Sequence, residues 1–420
     1  MKRNRKSFLI QIAAALVPLV NGFSETPEAL ATRALESNPE LRVYAAEIEA
    51  GKGAVRTAVT RRNPELSTQA GYKNSRDNSD GRSADGAVFS LSLSQTFEYR
   101  GRVALREAIA LGDVELARLH LQQFRRGLAA RVRTLAYRIA LAEANARSAN
   151  ELAERFRSVG EVLAQRGTPG AAPQLEMQII EANTLAFARA AGDAKLASLT
   201  ALSQINQLCG RPAGAPLKVT GGIVAFRSVP VPTLLQAART NAFDLRIREA
   251  EFAQQGLKVR LAHNERFPAF SVGPFYSFET AADREHQIGL GLSLPLPVWD
   301  RNAGAIATSK AKREQAEASL ITTERDVERR VIENATVIEA KRLAIGNYEQ
   351  VGVKKFQEAT ELADRHYRLG AVPLTTYIET HKQYLELVTA VAEMRKDALN
   401  AAEEIEILTG IKLSSGIEQP

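Results

Sequence analysis

Four short segments of the chain alternate between apolar and small polar residues. The alternation is clearest over 89–97 and 288–296, where Phe, Leu or Ile at every second position is separated mostly by Ser, Thr or Gly. Each of these segments follows an upstream segment with the same period. A period of two predicts strands with one apolar and one small polar face. The sequence therefore predicts two β-hairpins, at residues 64–97 and 267–297, with charged, water-facing turns.

Two long segments carry apolar residues at every seventh position instead. Proline is absent from 102–165, and two heptad series run along that segment: Leu128, Leu135, Ala142, Ala149, Phe156, Leu163 and Val132, Ile139, Ala146, Ala153, Gly160. The second half repeats the pattern with Val331, Ile338, Ile345 and Gly352. A sustained seven-residue repeat predicts long helices that supercoil against neighbours. A helix of about 65 residues extends roughly 95 Å, and its many alanines indicate close, thin packing.

The order helix, strand, strand, very long helix, helix occurs twice, at a spacing of roughly 200 residues. Short motifs return in the same order, such as Arg166-Gly167 and then Arg368-Leu-Gly370. We therefore expect an internal duplication. The first repeat is predicted to cover 25–209 and the second repeat 233–410. A connector rich in Gly, Pro and Val joins them at 210–232, and a short tail follows at 411–420.

The N-terminus has the layout of an export signal. Four basic residues occur among the first six, an apolar stretch follows at 8–20, and Gly22 and Ser24 stand at the −3 and −1 positions of a cleavage site. We expect residues 1–24 to be a signal peptide, and no N-terminal lipid, since no Cys follows the apolar stretch. A buried N-terminal helix is the alternative.

Composition narrows the class of protein. The 420 residues have a mean hydropathy of −0.20, which excludes a polytopic helical membrane protein. One cysteine excludes a disulfide framework and a thiolate zinc cluster. The net charge of +7 belongs mostly to the N-terminal segment, which argues against a nucleic-acid partner.

Candidate chemistry is sparse along the chain. The five histidines show no ligand spacing: His120, His263, His286, His366 and His381. We therefore expect no metal site and no cofactor. The motifs GxSxG, HExxH, GxGxxG and the P-loop are absent, and nothing places two carboxylates in one cleft, so the chain is not expected to be an enzyme.

Geometry constrains any membrane role for the hairpins. Four strands cannot close a barrel, and open strand edges are not tolerated in lipid. Closure would need several copies, and three chains with about twelve strands are the smallest assembly that leaves a pore. Two alternatives stay open, namely amphipathic hairpins on a soluble core and a structural coiled-coil rod of the cell envelope.

Two junctions between strand and helix resemble those of a known family. They are 291–307, Gly-Leu-Ser-Leu-Pro-Leu-Pro-Val-Trp-Asp-Arg-Asn-Ala-Gly-Ala-Ile-Ala, and its first-half counterpart 94–102, Ser-Gln-Thr-Phe-Glu-Tyr-Arg-Gly-Arg. Over essentially all of the mature sequence the chain resembles the TolC family of outer-membrane efflux channels. The likeness is closest to the cobalt–zinc–cadmium and copper–silver heavy-metal branch.

The resemblance implies a mainly α fold with a small β part. It implies a homotrimer whose transmembrane β-barrel, with four strands per protomer, sits in outer-membrane lipid and continues as an α-helical barrel across the periplasm. The implied partners are a periplasmic adaptor (membrane fusion) protein and an inner-membrane RND-type pump. The implied function is a passive conduit, with heavy-metal cations as the expected cargo and drugs or polypeptides as the alternative.

The resemblance also assigns roles to residues near the helix-to-helix turns. Residues of both turns match the family's adaptor-contacting tips: Arg166, Gly167, Pro173, Arg368, Leu369, Gly370 and Pro373. Glu176, Tyr367, Thr376 and Glu379 match positions that hold the periplasmic entrance closed. By three-fold symmetry Glu379 would form a carboxylate ring, which selects for cations. Thr376 stands where an acidic residue is frequent, so the gate is expected to carry fewer charges. An ordinary turn and a solvated helix face are the respective alternatives.

Overall fold

A computed structural model describes residues 24–76, 83–166, 171–220, 224–281 and 283–416. The expected signal peptide lies outside the described residues except for Ser24, as do Gly167, part of the turn between the first two hairpin strands, and the end of the C-terminal tail. The structure is dominated by helices, with a small sheet at one end, which confirms the predicted fold class.

The first half contains two short helices, a hairpin and two long helices. Their bounds are β1 Ser24–Glu25, α1 Pro27–Ser37, α2 Glu40–Val59, β2 Glu65–Arg76, β3 Ser83–Phe97, α3 Arg102–Arg166 and α4 Ala171–Leu208. The long helix α3 spans 65 residues, as the heptad pattern predicts. At 1.5 Å per residue, it extends about 97 Å.

The second half repeats this order with one difference, a π-helical segment within its long helix. After the short strands β4 Lys218–Val219 and β5 Val224–Phe226, the elements are α5 Val231–Asn241, α6 Phe243–Glu265, β6 Phe270–Glu279, β7 Glu285–Ser293, α7 Ala303–Asn347, the π segment Tyr348–Val353, α8 Lys354–Arg368, α9 Leu374–Thr409 and β8 Ser414–Gly416. The element order fits the predicted duplication, and its boundaries stay a prediction.

The two hairpins form a single antiparallel sheet with the strand order β2-β3-β6-β7. The central pair joins the halves of the chain, because β3 pairs with β6 along a register that runs from Val88 and Glu279 to Phe97 and Phe270. Within the described part of the chain, no helix is both long and apolar enough to cross a membrane.

The apolar core is divided into clusters along the helices. One cluster joins α1, α3 and α4, and a second joins α5, α6, α7 and α9. A third cluster, the tip cluster, joins the distal parts of α3, α4, α8 and α9, with Phe156 and Tyr377 fully buried in it. The long helices are therefore held together in separate stretches.

A buried ion pair ties α3 to α9 between these clusters. The Arg133 guanidinium donates to Glu403 Oε2 and to Glu406 Oε1, at 2.7 Å in each case. Burial raises the pKa of Glu403, and the Arg133 charge opposes this effect. In the second half, Arg330 of α7 pairs with Asp244 at 3.0 Å and with Glu404, but its side chain is 29% exposed.

Candidate functional site

The four-stranded sheet has two chemically different faces. Directly paired residues share a face, so the register sorts every strand into the same two sets. One set is small and polar: Ser67, Gln69, Ser90, Ser92, Ser94, Thr96, Ser271, Ser277, Gln287 and Ser293. The other set is mostly apolar, with polar members such as Thr68, Gln95 and His286: Leu66, Ala70, Tyr72, Phe89, Leu91, Leu93, Phe97, Phe270, Val272, Tyr276, Phe278, Ile288, Leu290 and Leu292. This division is typical of strands between lipid and an aqueous lumen.

The apolar face is not covered by the rest of the chain. Ile288 is 85% exposed and Leu290 is 83% exposed. On the polar face, Phe275 lies against Gly289, where a Cβ would come within 2.6 Å of the Phe275 ring. Small residues therefore allow close packing on the polar face, while the large side chains of the apolar face point away from the protein. Such a surface needs a cover of lipid or of another chain.

Aromatic residues mark both ends of the apolar face. At the end next to the helices, Phe97 stacks on Phe270 with ring centroids 5.6 Å apart, and Tyr99 stacks on Phe267 at 4.4 Å. Trp299, in the junction after β7, is 96% exposed. At the far end, Tyr72, Tyr276 and Phe278 lie near the charged turns. Two aromatic belts at the ends of an apolar band are the pattern of membrane–water interfaces.

The sheet is open within one chain. In the described part of the chain, β2 and β7 each pair with one strand and form the two edges. An unpaired edge cannot face hydrocarbon, since each bare N–H or C=O group there costs several kcal/mol. The edges must therefore be paired by strands from outside this chain if the sheet lies in lipid.

At the opposite end of the helices, α8 turns into α9 through residues 369–373. Gly370 has a φ of +74°, and its N–H donates to the Tyr367 carbonyl at 2.9 Å, while the Ala371 N–H donates to the His366 carbonyl at 2.9 Å. This is a Schellman-type helix end, which requires a left-handed residue. Pro373 then precedes α9 in an extended conformation. The turn presents Leu369, which is 80% exposed, beside the exposed Arg368.

The first-half turn is described only at its flanks. Arg166 is the last residue of α3, and Pro173 lies in the first turn of α4. Gly167 lies outside the described residues. The adaptor-contact role of both turns stays a prediction.

The four predicted gate residues have different surroundings. Glu176, Thr376 and Glu379 are exposed, and the Gln383 amide donates to Glu379 Oε1 at 2.8 Å. Tyr367 is partly buried and stacks on Tyr377 with centroids 4.7 Å apart. The structure therefore places Tyr367 at the edge of the tip cluster and the other three on the outer faces of α4 and α9.

Just behind the turn lies a polar group that the sequence did not reveal. Arg155 of α3 donates to Asp364 Oδ2 of α8 at 2.8 Å, and His381 of α9 has its Nε2 3.5 Å from Asp364 Oδ1. The His381 Nδ1 donates to the Tyr377 carbonyl at 2.8 Å. Asp364 therefore connects three helices at the base of the tip cluster.

The electrostatics of this group follow from its burial. Burial acts to raise the pKa of Asp364, but its interactions with His381 and Tyr377 and the Arg155 charge hold it below its ordinary value. Burial and the Asp364 charge raise the pKa of Tyr377. The spacing of Leu374, Tyr377, Ile378 and His381 on one face of α9 was the available signal for this buried surface.

The side chains that could bind a metal ion are scattered over the described residues. Among those residues, no group of three or more His, Cys, Asp or Glu side chains could hold a metal ion. The arrangement can instead insert a two-faced sheet into lipid and present a helical turn far from it.

Comparisons with known proteins agree with this geometry. The family model described as outer membrane efflux protein matches residues 30–211 and 234–411. The cobalt-zinc-cadmium resistance protein CzcC of Cupriavidus metallidurans is 22% identical over 353 residues, which cover 82% of this chain and 80% of that protein.

Solved structures share the fold at low sequence identity. The Campylobacter jejuni CmeC outer membrane channel has a TM-score of 0.73 and 16% identity, over 92% of this chain and 86% of that one. CusC has a TM-score of 0.72 and 14% identity, over 92% of each chain. The open state of the Neisseria gonorrhoeae MtrE channel has a TM-score of 0.72 and 15% identity, over 91% of this chain and 88% of that one.

Proposed function

The chain belongs to the outer membrane efflux protein family, and from that premise we propose that it forms a homotrimeric duct whose cargo is heavy-metal cations. Proteins of this family are passive channels of the outer membrane that extend into the periplasm and serve efflux systems; they are not enzymes. The trimer, the cargo and the particular adaptor and RND-type pump are the proposed parts.

The open two-faced sheet carries the trimer proposal. Its apolar face suits lipid, its polar face suits a water-filled lumen, and its two edges need partner strands. Helix α2 supports the same conclusion, because none of its residues is buried although it packs along α3. Three copies would join their sheets edge to edge into one barrel of about twelve strands.

A matched pair of substitutions on β7 tests this arrangement. Leu290→Lys places a charge on the lipid face, which costs about 2–4 kcal/mol near the bilayer midplane. We expect Leu290→Lys to abolish trimers in detergent extracts of the outer membrane. Gln287→Lys, on the polar face of the same strand, should leave them intact. Equal trimer yields from the two variants would contradict the assignment of the faces.

The heavy-metal cargo rests on the likeness to CzcC, whose name gives cobalt, zinc and cadmium resistance. Deletion of this protein should lower tolerance to those three ions, and the intact chain supplied in trans should restore it. Drug tolerance measured side by side separates the alternative cargo. Unchanged metal tolerance with lowered drug tolerance would transfer the assignment to drugs.

The gate proposal concerns Glu176, Tyr367, Thr376 and Glu379. Glu379 is exposed near the start of α9, so three copies would place three carboxylates around the entrance. We expect Glu379→Ala to raise single-channel conductance in planar bilayers and to weaken cation selectivity. Glu361→Ala, an exposed carboxylate of α8, is the control. Identical traces from both variants would remove Glu379 from the gate.

The adaptor-contact proposal concerns the turns, where Leu369 and Arg368 project from a rigid Schellman-type end. An exposed Leu on a preorganised turn is a suitable anchor for a helical partner. We expect Leu369→Asp to weaken cross-linking to the periplasmic adaptor, with Leu362→Asp, a half-exposed leucine of α8 outside the turn, as the control. Full cross-linking of Leu369→Asp would argue for an ordinary turn.

A further inference from the structure

The second long helix contains a π-helical segment that its first-half counterpart lacks. Helix α7 ends at Asn347, the π segment Tyr348–Val353 follows, and α8 begins at Lys354. Helix α3 is α-helical from Arg102 to Arg166. A π turn closes its hydrogen bonds from i to i+5 instead of i+4, so it holds one residue more than an α turn.

The spacing of the buried residues along the second long helix shows that the extra residue lies in the π segment. Val331, Ile338 and Ile345 are buried at intervals of seven. Among the residues whose burial is described, the next buried position is Thr360 of α8, which is one residue more than two heptads beyond Ile345. In α3 the interval of seven continues, with Ala149 and Phe156 both buried. The π segment therefore absorbs one inserted residue, and α8 keeps its inner face toward the tip cluster.

Among the side chains that the structure describes, the two large apolar clusters that pack the second long helix include none from the π segment. The second-half cluster reaches Ile338 on α7, and the tip cluster begins on α8 with Ala363. On the other side of α9, a cavity of about 430 Å³ lies between α3, α4 and the stretch 385–396, and the described side chains of the π segment do not line it. The π segment contacts a different face of α9, where Glu349 pairs with Arg395 and Gly352 lies against Leu387. Burial lowers the pKa of Arg395, and its Nε has no hydrogen-bond partner among the described residues.

We propose that the π segment Tyr348–Val353 is the hinge about which α8 and the turn 369–373 move relative to α7 when the periplasmic end opens. This inference rests on the proposed channel function. The second-half cluster holds α7 on one side of the π segment, and the tip cluster packs α8 with the distal parts of α3, α4 and α9 on the other. Local segments with few apolar contacts open at the lowest free energy. The Glu349–Arg395 pair holds the π segment against α9.

Deletion of Gln350 tests the hinge on the full-length protein. Removing one residue restores a continuous heptad frame, so α7 and α8 should merge into one helix while α8 keeps its inner face. Gln350→Ala keeps the chain length and is the matched control. We expect the deletion to slow amide hydrogen exchange in α8 about tenfold, and to lower the opening frequency in planar bilayers about tenfold, the factor that 1.4 kcal/mol produces. Gln350→Ala should match the unaltered protein in both measurements.

Each outcome decides the question. Equal exchange and equal opening in the deletion and control variants would overturn the hinge. Slower amide exchange in α8 of the deletion variant would support the hinge even if the unaltered protein gave no conductance in bilayers. The missing conductance would then contradict the proposed channel function. If the deletion variant does not fold, Glu349→Gln replaces it, and we expect its α8 to exchange about tenfold faster. Glu358→Gln, on the exposed face of α8, is its control, and equal exchange in these two variants would overturn the hinge.

Discussion

The two long helices, α3 and the α7–α8 pair, start from equivalent positions after their hairpins and differ in the middle. Helix α3 carries its buried residues at unbroken intervals of seven and contributes large side chains to the tip cluster, with Phe156 fully buried. The second helix changes its frame at the π segment and contributes smaller buried residues beyond it, such as Thr360 and Ala363. Two duplicated halves can thus share one architecture and differ in flexibility, with a continuous long helix in the first half and a proposed hinge in the second.

The largest contrast should appear in the tip cluster. Phe156→Ala removes a buried ring that contacts Phe187 and Tyr377, and should lower the free energy of unfolding by about 4 kcal/mol. Thr360→Ala, at the shifted seam of α8, should cost about 1 kcal/mol. Thermal unfolding in detergent, followed by far-ultraviolet circular dichroism, measures both. Equal losses would mean that the two helices carry equal shares of the packing.

The ion pairs to α9 give the second contrast. Arg133→Met leaves the buried Glu403 carboxylate without its partner, and should cost about 3 kcal/mol. Arg330→Met breaks a partly exposed pair with Glu404, which water can replace, and should cost about 1 kcal/mol. The same unfolding experiment applies. If Arg330→Met lowered the free energy of unfolding more than Arg133→Met, the second half and not the first would be the more tightly held part of the chain.

The link between α8 and α3 should depend on pH. The pKa of Asp364 is lowered in the folded protein, so its stabilising effect is present above the pKa of the unfolded chain and is lost as the pH falls through the folded value. Asp364→Asn should therefore cost about 2 kcal/mol at neutral pH and progressively less below about pH 4. Unfolding midpoints of both proteins across this range provide the check, and a difference that grows toward acid would contradict it.

Two glycines, one in the turn after α8 and one inside α7, give the smallest contrast. Their substitutions should change the free energy of unfolding in opposite directions. Gly370→Ala forces a Cβ into a left-handed conformation and should destabilise by about 1 kcal/mol. Gly346→Ala, inside α7, meets no neighbouring atom within 4 Å and should stabilise by up to about 1 kcal/mol. If both substitutions moved the unfolding midpoint in the same direction, Gly370 could not be a left-handed helix end while Gly346 is an ordinary position inside a helix.

The patterns that extend over many residues were predictable from the sequence. The bounds of α3 agree with the predicted 102–165 to within one residue, and both hairpins lie where the alternation placed them. Such patterns record the burial of one whole face, so single exceptions do not obscure them.

Local departures from those patterns were not predictable. The heptad series predicted through Gly352 does not continue beyond the π segment, because Thr360 is buried one residue later than two heptads after Ile345. The Asp364 group was missed for a related reason, since its partners come from three helices that only the folded chain brings together. The pairing of β3 with β6 likewise joins segments that two long helices separate in the sequence.

That central pairing has a consequence for biogenesis. Because β3 pairs with β2 in its own hairpin and finds its second neighbour only in β6, the first hairpin emerges from the translocation machinery long before that second partner strand, with α3 and α4 still to follow. Its exposed apolar face stays uncovered by this chain until the second hairpin arrives, because the four-stranded sheet is complete only then. Nascent chains halted between α4 and β6 should therefore aggregate more readily than the complete chain.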